Sequence, residues 1–99
     1  MDKEINNKII DLVGKAKVFF EFEAVYLYGS YSDSSFNSVS DIDVAFIVED
    51  ISSDHWLLSA KLFELVDKID NRIEPLILSK KNDPSGFVRK ILKNGIKVC

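Results

Sequence analysis

Segments with a helical spacing of apolar residues alternate along the chain with short strand-like runs. Apolar residues three and four positions apart predict an amphipathic helix over residues 3–18. A broad apolar face predicts a second helix over residues 56–69 with Asp54 as its N-cap, and Asp83-Pro84 predicts the start of a third helix that stops at Gly95. Runs rich in β-branched and aromatic residues predict strands at 24–28, 41–48 and 72–78.

The order α, β, loop, β, α, β, α predicts an α/β (α+β) fold, with a small mixed sheet of three to four strands and helices packed on it. The length of 99 residues suits one core and one domain, which we assign to residues 1–99. Such a chain has no room for a separate substrate-binding domain. Its substrate is therefore expected to be small or to bring its own binding surface.

The net charge of −3 argues against a nucleic-acid-binding face, which needs a basic excess. Cys99 is the only cysteine, so no intramolecular disulfide is expected, and a reducing cytoplasm suits the chain. No apolar run approaches the roughly 18 residues of a membrane span, and the N-terminus lacks a signal-peptide core. Basic residues gather late in the chain at helical intervals typical of a solvated helix face: Lys80, Lys81, Arg89, Lys90, Lys93 and Lys97.

Asp41 and Asp43 open the second predicted strand, which is otherwise apolar on both faces. Alternate residues of a strand point the same way and lie about 6.5–7 Å apart, so these two carboxylates can converge on one hard cation. Without a cation, two negative charges at the edge of a core would repel each other unfavourably. Glu74 interrupts the third apolar run and is the candidate for a third carboxylate. Other acidic residues compete for that third role: Asp54, Asp67 and Asp70.

Three carboxylates on neighbouring strands can hold two Mg²⁺ ions about 3.5–4 Å apart, which activates an attacking oxygen and neutralises a leaving pyrophosphate. A Gly-Ser pair directly follows the first predicted strand. Gly29 permits a tight turn with close backbone approach, and Ser30 offers a hydroxyl and an amide to a phosphate or as a helix cap. Together, the carboxylates and the Gly-Ser pair predict a bound nucleoside triphosphate. His55, next to a predicted N-cap, is interpreted as a surface or structural histidine.

The stretch YLYGS, a ten-residue spacer and DID resembles the Gly-Ser, spacer, Asp-x-Asp signature of the DNA polymerase β-like nucleotidyltransferases. The small size and the ending FVRKILKNGIKV resemble the minimal nucleotidyltransferase (MNT) branch. Members of that branch often pair with HEPN-domain proteins as antitoxin and toxin. The resemblance covers nearly the whole chain.

The resemblance implies the nucleotidyltransferase fold and a Mg²⁺-dependent transfer of AMP from ATP to a hydroxyl of an acceptor, such as a HEPN-type partner protein. Gly29 and Ser30 would bind the triphosphate, and Asp41 and Asp43 would ligate Mg²⁺. Glu74 would stand where the family has its third carboxylate. Assembly of the chain into a homo-oligomer is an additional hypothesis.

The chain departs from the resemblance just after Gly-Ser. Many relatives continue with an arginine and then a glycine, where this chain has Asp33 and Ser34. An anion in place of a cation near the phosphates motivates a second hypothesis, in which a weak or inactive domain neutralises its partner by occlusion. A third hypothesis, transfer to a small molecule as in the aminoglycoside-modifying relatives, is disfavoured because no second domain is present to enclose the acceptor.

Overall fold

The computed structural model describes residues 3–28, 41–51 and 53–99. Within them lie the helices Lys3–Ala16 (α1), His55–Ile69 (α2) and Phe87–Asn94 (α3) and the strands Ala24–Tyr28 (β1), Ile42–Val48 (β2), Ile73–Ser79 (β3) and Ile96–Lys97 (β4). The predicted α+β fold with a small mixed sheet is confirmed. The sequence predictions for Gly29, Ser30, Asp33 and Ser34 fall outside the described residues.

The four strands form one sheet in the order β3-β2-β1-β4. β2 and β3 are parallel and are connected through α2, whereas β1 runs antiparallel to both of its neighbours, β2 and β4. β2 therefore lies inside the sheet, and its residues Val44–Ile47 are at most 1% exposed. This confirms the predicted burial of β2 on both faces.

The two faces of the sheet carry cores of different size. On one face, α1 and α2 bury the larger core, because their apolar stripes meet the even-numbered residues of β2. Phe20 and Phe22 extend this core, with ring centroids 5.8 and 5.1 Å from that of Phe46. On the other face, α3 contributes Val88 and Ile91 to a smaller cluster.

The start of α3 differs from the prediction. The helix begins at Phe87, after Gly86 adopts a left-handed conformation with φ 75° at the N-cap position. Asp83 nevertheless serves the helix, because its carboxylate accepts hydrogen bonds from the backbone N–H groups of Val88 (3.0 Å) and Arg89 (3.1 Å). The prediction of Asp83 as the N-cap and Pro84 as the first helical residue was therefore wrong in position, although the Asp83 carboxylate still binds the first N–H groups of the helix across a turn.

Strand β4 follows α3 directly and was not individually predicted. Gly95 ends the helix as expected, and Ile96 pairs at once with Leu27 of β1. A Cβ atom on Gly95 would lie 2.7 Å from the carbonyl oxygen of Ile91 and 2.9 Å from that of Leu27. These distances are too short for a side chain, so glycine is required where the chain passes from α3 to the edge of the sheet.

Candidate active site

Polar side chains lie in one row across the end of the sheet. Tyr28, the last residue of β1, pairs with Asp43 near the start of β2, and Asp43 pairs in turn with Glu74 near the start of β3. Paired residues project to the same face, on strands that lie about 4.7–4.9 Å apart. Asp41 lies two residues before Asp43, close enough to Glu74 for the two carboxyl groups to act on each other. The fold thus brings together the three carboxylates selected from the sequence.

The three carboxyl groups repel one another. The pKa of Asp43 is raised, first by burial and then by the negative charge of Asp41. The pKa of Glu74 is raised chiefly by the charge of Asp41, with burial, Asp43 and the hydrogen bond to Asp41 as further causes. Each shift reports that the charged form is disfavoured in the fold. A cation at this position would relieve that repulsion.

No basic side chain of the described segments forms an ion pair with Asp41, Asp43 or Glu74. The acidic end of the sheet is therefore not neutralised by the described part of the fold. Over the same residues, no three His, Cys, Asp or Glu side chains are arranged to hold a metal ion by themselves. Mg²⁺ in nucleotide sites commonly takes only one or two protein carboxylates and completes its octahedron with phosphate oxygens and water. The donor set fits that mode better than a preformed cage of three carboxylates.

Tyr28 lies in the same row as the carboxylates, although the sequence did not single it out. Burial, followed by the charges of Asp43 and Glu74, raises its pKa to about 12, so the phenol stays protonated at neutral pH. Its ring packs edge to face on Phe87, with the ring centroids 5.6 Å apart. The signal in the sequence was its position immediately before the Gly-Ser pair. Phe87 had no such signal, because only the folded chain brings α3 beside the end of β1.

The other acidic candidates are placed elsewhere. Asp54 precedes α2 and Asp67 lies on it, and both are exposed, whereas α2 packs on the face of the sheet opposite to Asp43. Asp54 occupies the predicted N-cap position but makes no side-chain capping hydrogen bond. Asp70 is bound by Arg72 and Lys8. Among the competing carboxylates, Glu74 alone shares the row with Asp43.

Fold and cluster together define a class: α+β domains that carry an acidic site at the end of a small mixed sheet, the arrangement of a nucleotidyltransferase. A family profile described as "Polymerase beta, Nucleotidyltransferase" matches residues 7–99. The chain therefore belongs to the polymerase β nucleotidyltransferase family. None of the curated proteins compared with the chain matches it.

Several solved structures share the fold. A toxin-antitoxin crystallised with AMP-PNP is 25% identical with a TM-score of 0.66, and the match covers 95% of this chain and 72% of that chain. The toxin-antitoxin MntA-HpeT, in a mutant with two Asp-to-Glu substitutions, is 22% identical with a TM-score of 0.60 and the same coverage. A nucleotidyltransferase candidate from Sulfolobus solfataricus is 19% identical with a TM-score of 0.58, covering 98% and 86% of the two chains. The last two likenesses show the fold alone.

Within the described segments, no helix combines the length and the apolar character needed to cross a membrane.

Proposed function

We propose that the chain is a Mg²⁺-dependent nucleotidyltransferase that moves a nucleoside monophosphate, AMP from ATP, to a hydroxyl group of a partner protein in the cytoplasm. The partner would be a toxin of HEPN type, and the transfer would make this chain its antitoxin. One observation carries the proposal: Asp43 and Glu74 face the same way in register, with Asp41 beside them, in a chain of the polymerase β nucleotidyltransferase family.

The donor set supports a cation and a triphosphate at this end of the sheet. Asp41 and Asp43 would hold Mg²⁺, and Glu74, whose carboxyl group lies near that of Asp41, would complete the acidic side of the site. Bound Mg²⁺ would supply neutralisation of the phosphate charge and activation of the attacking oxygen. Gly29 and Ser30, which directly follow β1 in the sequence, would bind the triphosphate through backbone and hydroxyl groups. Tyr28 would border the nucleotide with a neutral phenol, which adds no charge beside the phosphates.

The neighbouring structures support the nucleotide and the kind of partner. One of them is a toxin-antitoxin with AMP-PNP, a non-hydrolysable relative of ATP, which favours an adenine nucleotide here. The MntA-HpeT mutant replaces two aspartates that have one residue between them, and Asp41 and Asp43 have the same spacing. An acidic site that no described basic side chain neutralises suits an acceptor that brings its own surface, as a folded partner protein does.

Binding of nucleotide is the first test, because it does not require the acceptor. Calorimetric titration with ATP and Mg²⁺ should show saturable binding by the wild type, and Asp43→Asn should weaken it by roughly tenfold or more through loss of one charged ligand. Asp67→Asn is the matched control, since it removes an exposed carboxylate on α2. Equal affinity of Asp43→Asn and Asp67→Asn would contradict the assignment of the site.

Transfer is the second test. Incubation with labelled ATP, Mg²⁺ and the partner protein should label the partner, and a chelator should abolish the label because it removes the metal. Asp43→Asn should leave the partner unlabelled, while Asp67→Asn should label it normally. If Asp43→Asn labels the partner as well as the wild type does, the proposed chemistry is wrong.

A second candidate function is neutralisation by occlusion without transfer. The observation that favours it is Asp33, an anion in the stretch where many relatives place a cation. In cells that produce the partner, an Asp41→Asn/Asp43→Asn double variant separates the two functions. Continued neutralisation by the double variant would favour occlusion, whereas its loss would favour transfer.

A further inference from the structure

Charge is distributed unevenly along the chain. Residues 80–99 hold six basic residues and one acidic residue, whereas residues 1–79 hold seven basic and fifteen acidic residues. The single acidic residue of the later segment, Asp83, is engaged by the backbone N–H groups at the start of α3. Lys80 and Lys81 form ion pairs with Glu23 and Glu49, so the positive charge of this segment is concentrated on α3 and Lys97.

Three of these cations form one face of α3. Val88 and Ile91 are buried against the sheet, and the opposite side of the helix carries Arg89, Lys90 and Lys93, which are all exposed. We call these three residues the basic face. None of them forms an ion pair within the described part of the chain.

The basic face is unfavourable for the helix on its own. Arg89 and Lys93 are four residues apart, and Lys90 and Lys93 are three apart, so the like charges repel on neighbouring turns. Arg89 and Lys90 also lie in the first turns of α3, where the helix dipole disfavours cations. The Asp83 carboxylate that caps this end offsets part of that penalty and attracts the charge of Arg89. An external anion would relieve the repulsion that remains among the three cations.

A ring contact links the start of α3 to the acidic site. Phe87, the first residue of α3, packs on Tyr28, and Tyr28 pairs with Asp43. Lys90 follows Phe87 by one helical turn and so lies on the same side of α3. Exposed apolar side chains flank the basic face on both sides, Phe87 towards the site and Leu92 on the other side, each 39% exposed. A ligand that reaches Asp43 from this side would meet an amphipathic basic surface first.

We propose that the basic face binds an acidic, amphipathic segment of the acceptor protein and thereby positions its hydroxyl at the carboxylates. This inference rests on the proposed function for the existence of an acceptor, and it adds the chemistry by which the acceptor is recognised. The acidic site itself repels an acidic acceptor. A separate positive surface beside it would attract the acceptor and set its orientation. The apolar flanks favour a protein segment over a phosphate backbone, which has no apolar face to bury.

The test uses a labelled helical peptide with a glutamate face and a leucine face, measured by fluorescence anisotropy without nucleotide or Mg²⁺. The result of this measurement therefore does not depend on whether the acidic site transfers a nucleotide. Binding should be saturable and should weaken with added salt, because the charges are exposed. Replacing Arg89, Lys90 and Lys93 with glutamate should reduce the affinity by roughly tenfold or more, since three exposed charge pairs become repulsive.

The matched control is the triple replacement of Lys3, Lys17 and Lys68 with glutamate, which changes the net charge equally at exposed positions away from α3. It should keep the peptide affinity within about threefold, because the remaining effect is long-range and screened. Alanine in place of the three basic-face residues provides a second variant that avoids new repulsion. Thermal unfolding of each variant establishes that it is folded.

Three outcomes would overturn the inference. The first is equal affinity for the acidic peptide and for its counterpart with glutamine in place of glutamate. The second is an equal loss in the control variant, which would assign the binding to net charge alone. The third is tighter binding of a single-stranded RNA of similar charge than of the peptide, which would assign the basic face to a phosphate backbone.

Discussion

A nearly buried carboxylate ties the end of α2 to the strands that carry the site. The Asp70 side chain is 8% exposed. Its oxygens accept hydrogen bonds from Arg72 through the backbone N–H (3.0 Å), Nε (3.0 Å) and Nη2 (2.7 Å), and from Nζ of Lys8 (3.0 Å). The carbonyl oxygen of Arg72 in turn accepts a 2.8 Å hydrogen bond from the N–H of Ile42, at the start of β2. Asp70 therefore helps to hold the starts of β2 and β3 together.

Asp70→Asn should lower the free energy of unfolding at neutral pH by about 1–3 kcal/mol, because the change weakens hydrogen bonds to charged donors. The larger cost of breaking a wholly buried ion pair does not apply, since Lys8 and Arg72 keep side-chain exposures of 29% and 33% and regain water. Asp11→Asn is the matched control. Its partner Lys15 is about as exposed as Asp11 itself, at 52% and 53%, so this loss should be about 0.5 kcal/mol or less.

The difference in the free energy of unfolding between the wild type and Asp70→Asn should depend on pH. Hydrogen bonding to Arg72 and Lys8 holds the pKa of Asp70 well below its usual range. The stabilisation is therefore complete above the pKa of the unfolded chain, about 3.9, and is lost as the pH falls through the lower pKa of the folded state. Urea unfolding at pH 7 and at successively lower pH values measures both effects. A loss in Asp70→Asn no larger than that in Asp11→Asn, or a difference that grows on acidification, would refute the reasoning.

Three further predictions concern the acidic site and the packing. Asp41→Asn should raise the melting temperature at neutral pH, because the negative charge of Asp41 adds to burial in raising the pKa of Asp43 and is the main cause of the raised pKa of Glu74. The gain should shrink as the pH falls through the raised pKa values of Asp43 and Glu74 and vanish below the ordinary carboxyl pKa, whereas a lower melting temperature at pH 7 would contradict the reasoning. Gly95→Ala should destabilise the fold by about 1–3 kcal/mol, because the new Cβ atom would lie too close to two backbone carbonyl oxygens. The control Gly14→Ala lies inside α1 with open space around it and should stabilise the fold by about 0.5–1 kcal/mol. Urea unfolding measures both changes. Phe46→Ala should cost about 3–5 kcal/mol by the same assay, because it removes a wholly buried ring, and a loss below 1 kcal/mol would show that the core lies elsewhere.

Local patterns were sufficient for most elements of the fold. The spacing of Ile5, Ile9 and Leu12 predicted α1, and the run from Asp41 to Val48 predicted β2, because helix and strand periods are properties of short segments. The positions where prediction failed are set by long-range contacts. α3 begins only at Phe87 because Asp83 caps it across a turn, and β4 is a two-residue strand that exists through its pairing with β1.

By itself, the sequence predicted that two carboxylates lie close together where a strand starts, since Asp41 and Asp43 are separated by a single residue, and the strand begins between them at Ile42. It left the third carboxylate open among several acidic residues. The tertiary structure decided in favour of Glu74, because the parallel register of β2 and β3 sets it opposite Asp43 and α2 packs on the other face. Strand register and helix packing depend on contacts between distant segments, which no local period encodes. For the same reason, only the folded chain brought the start of α3, through Phe87, into contact with Tyr28 at the acidic site.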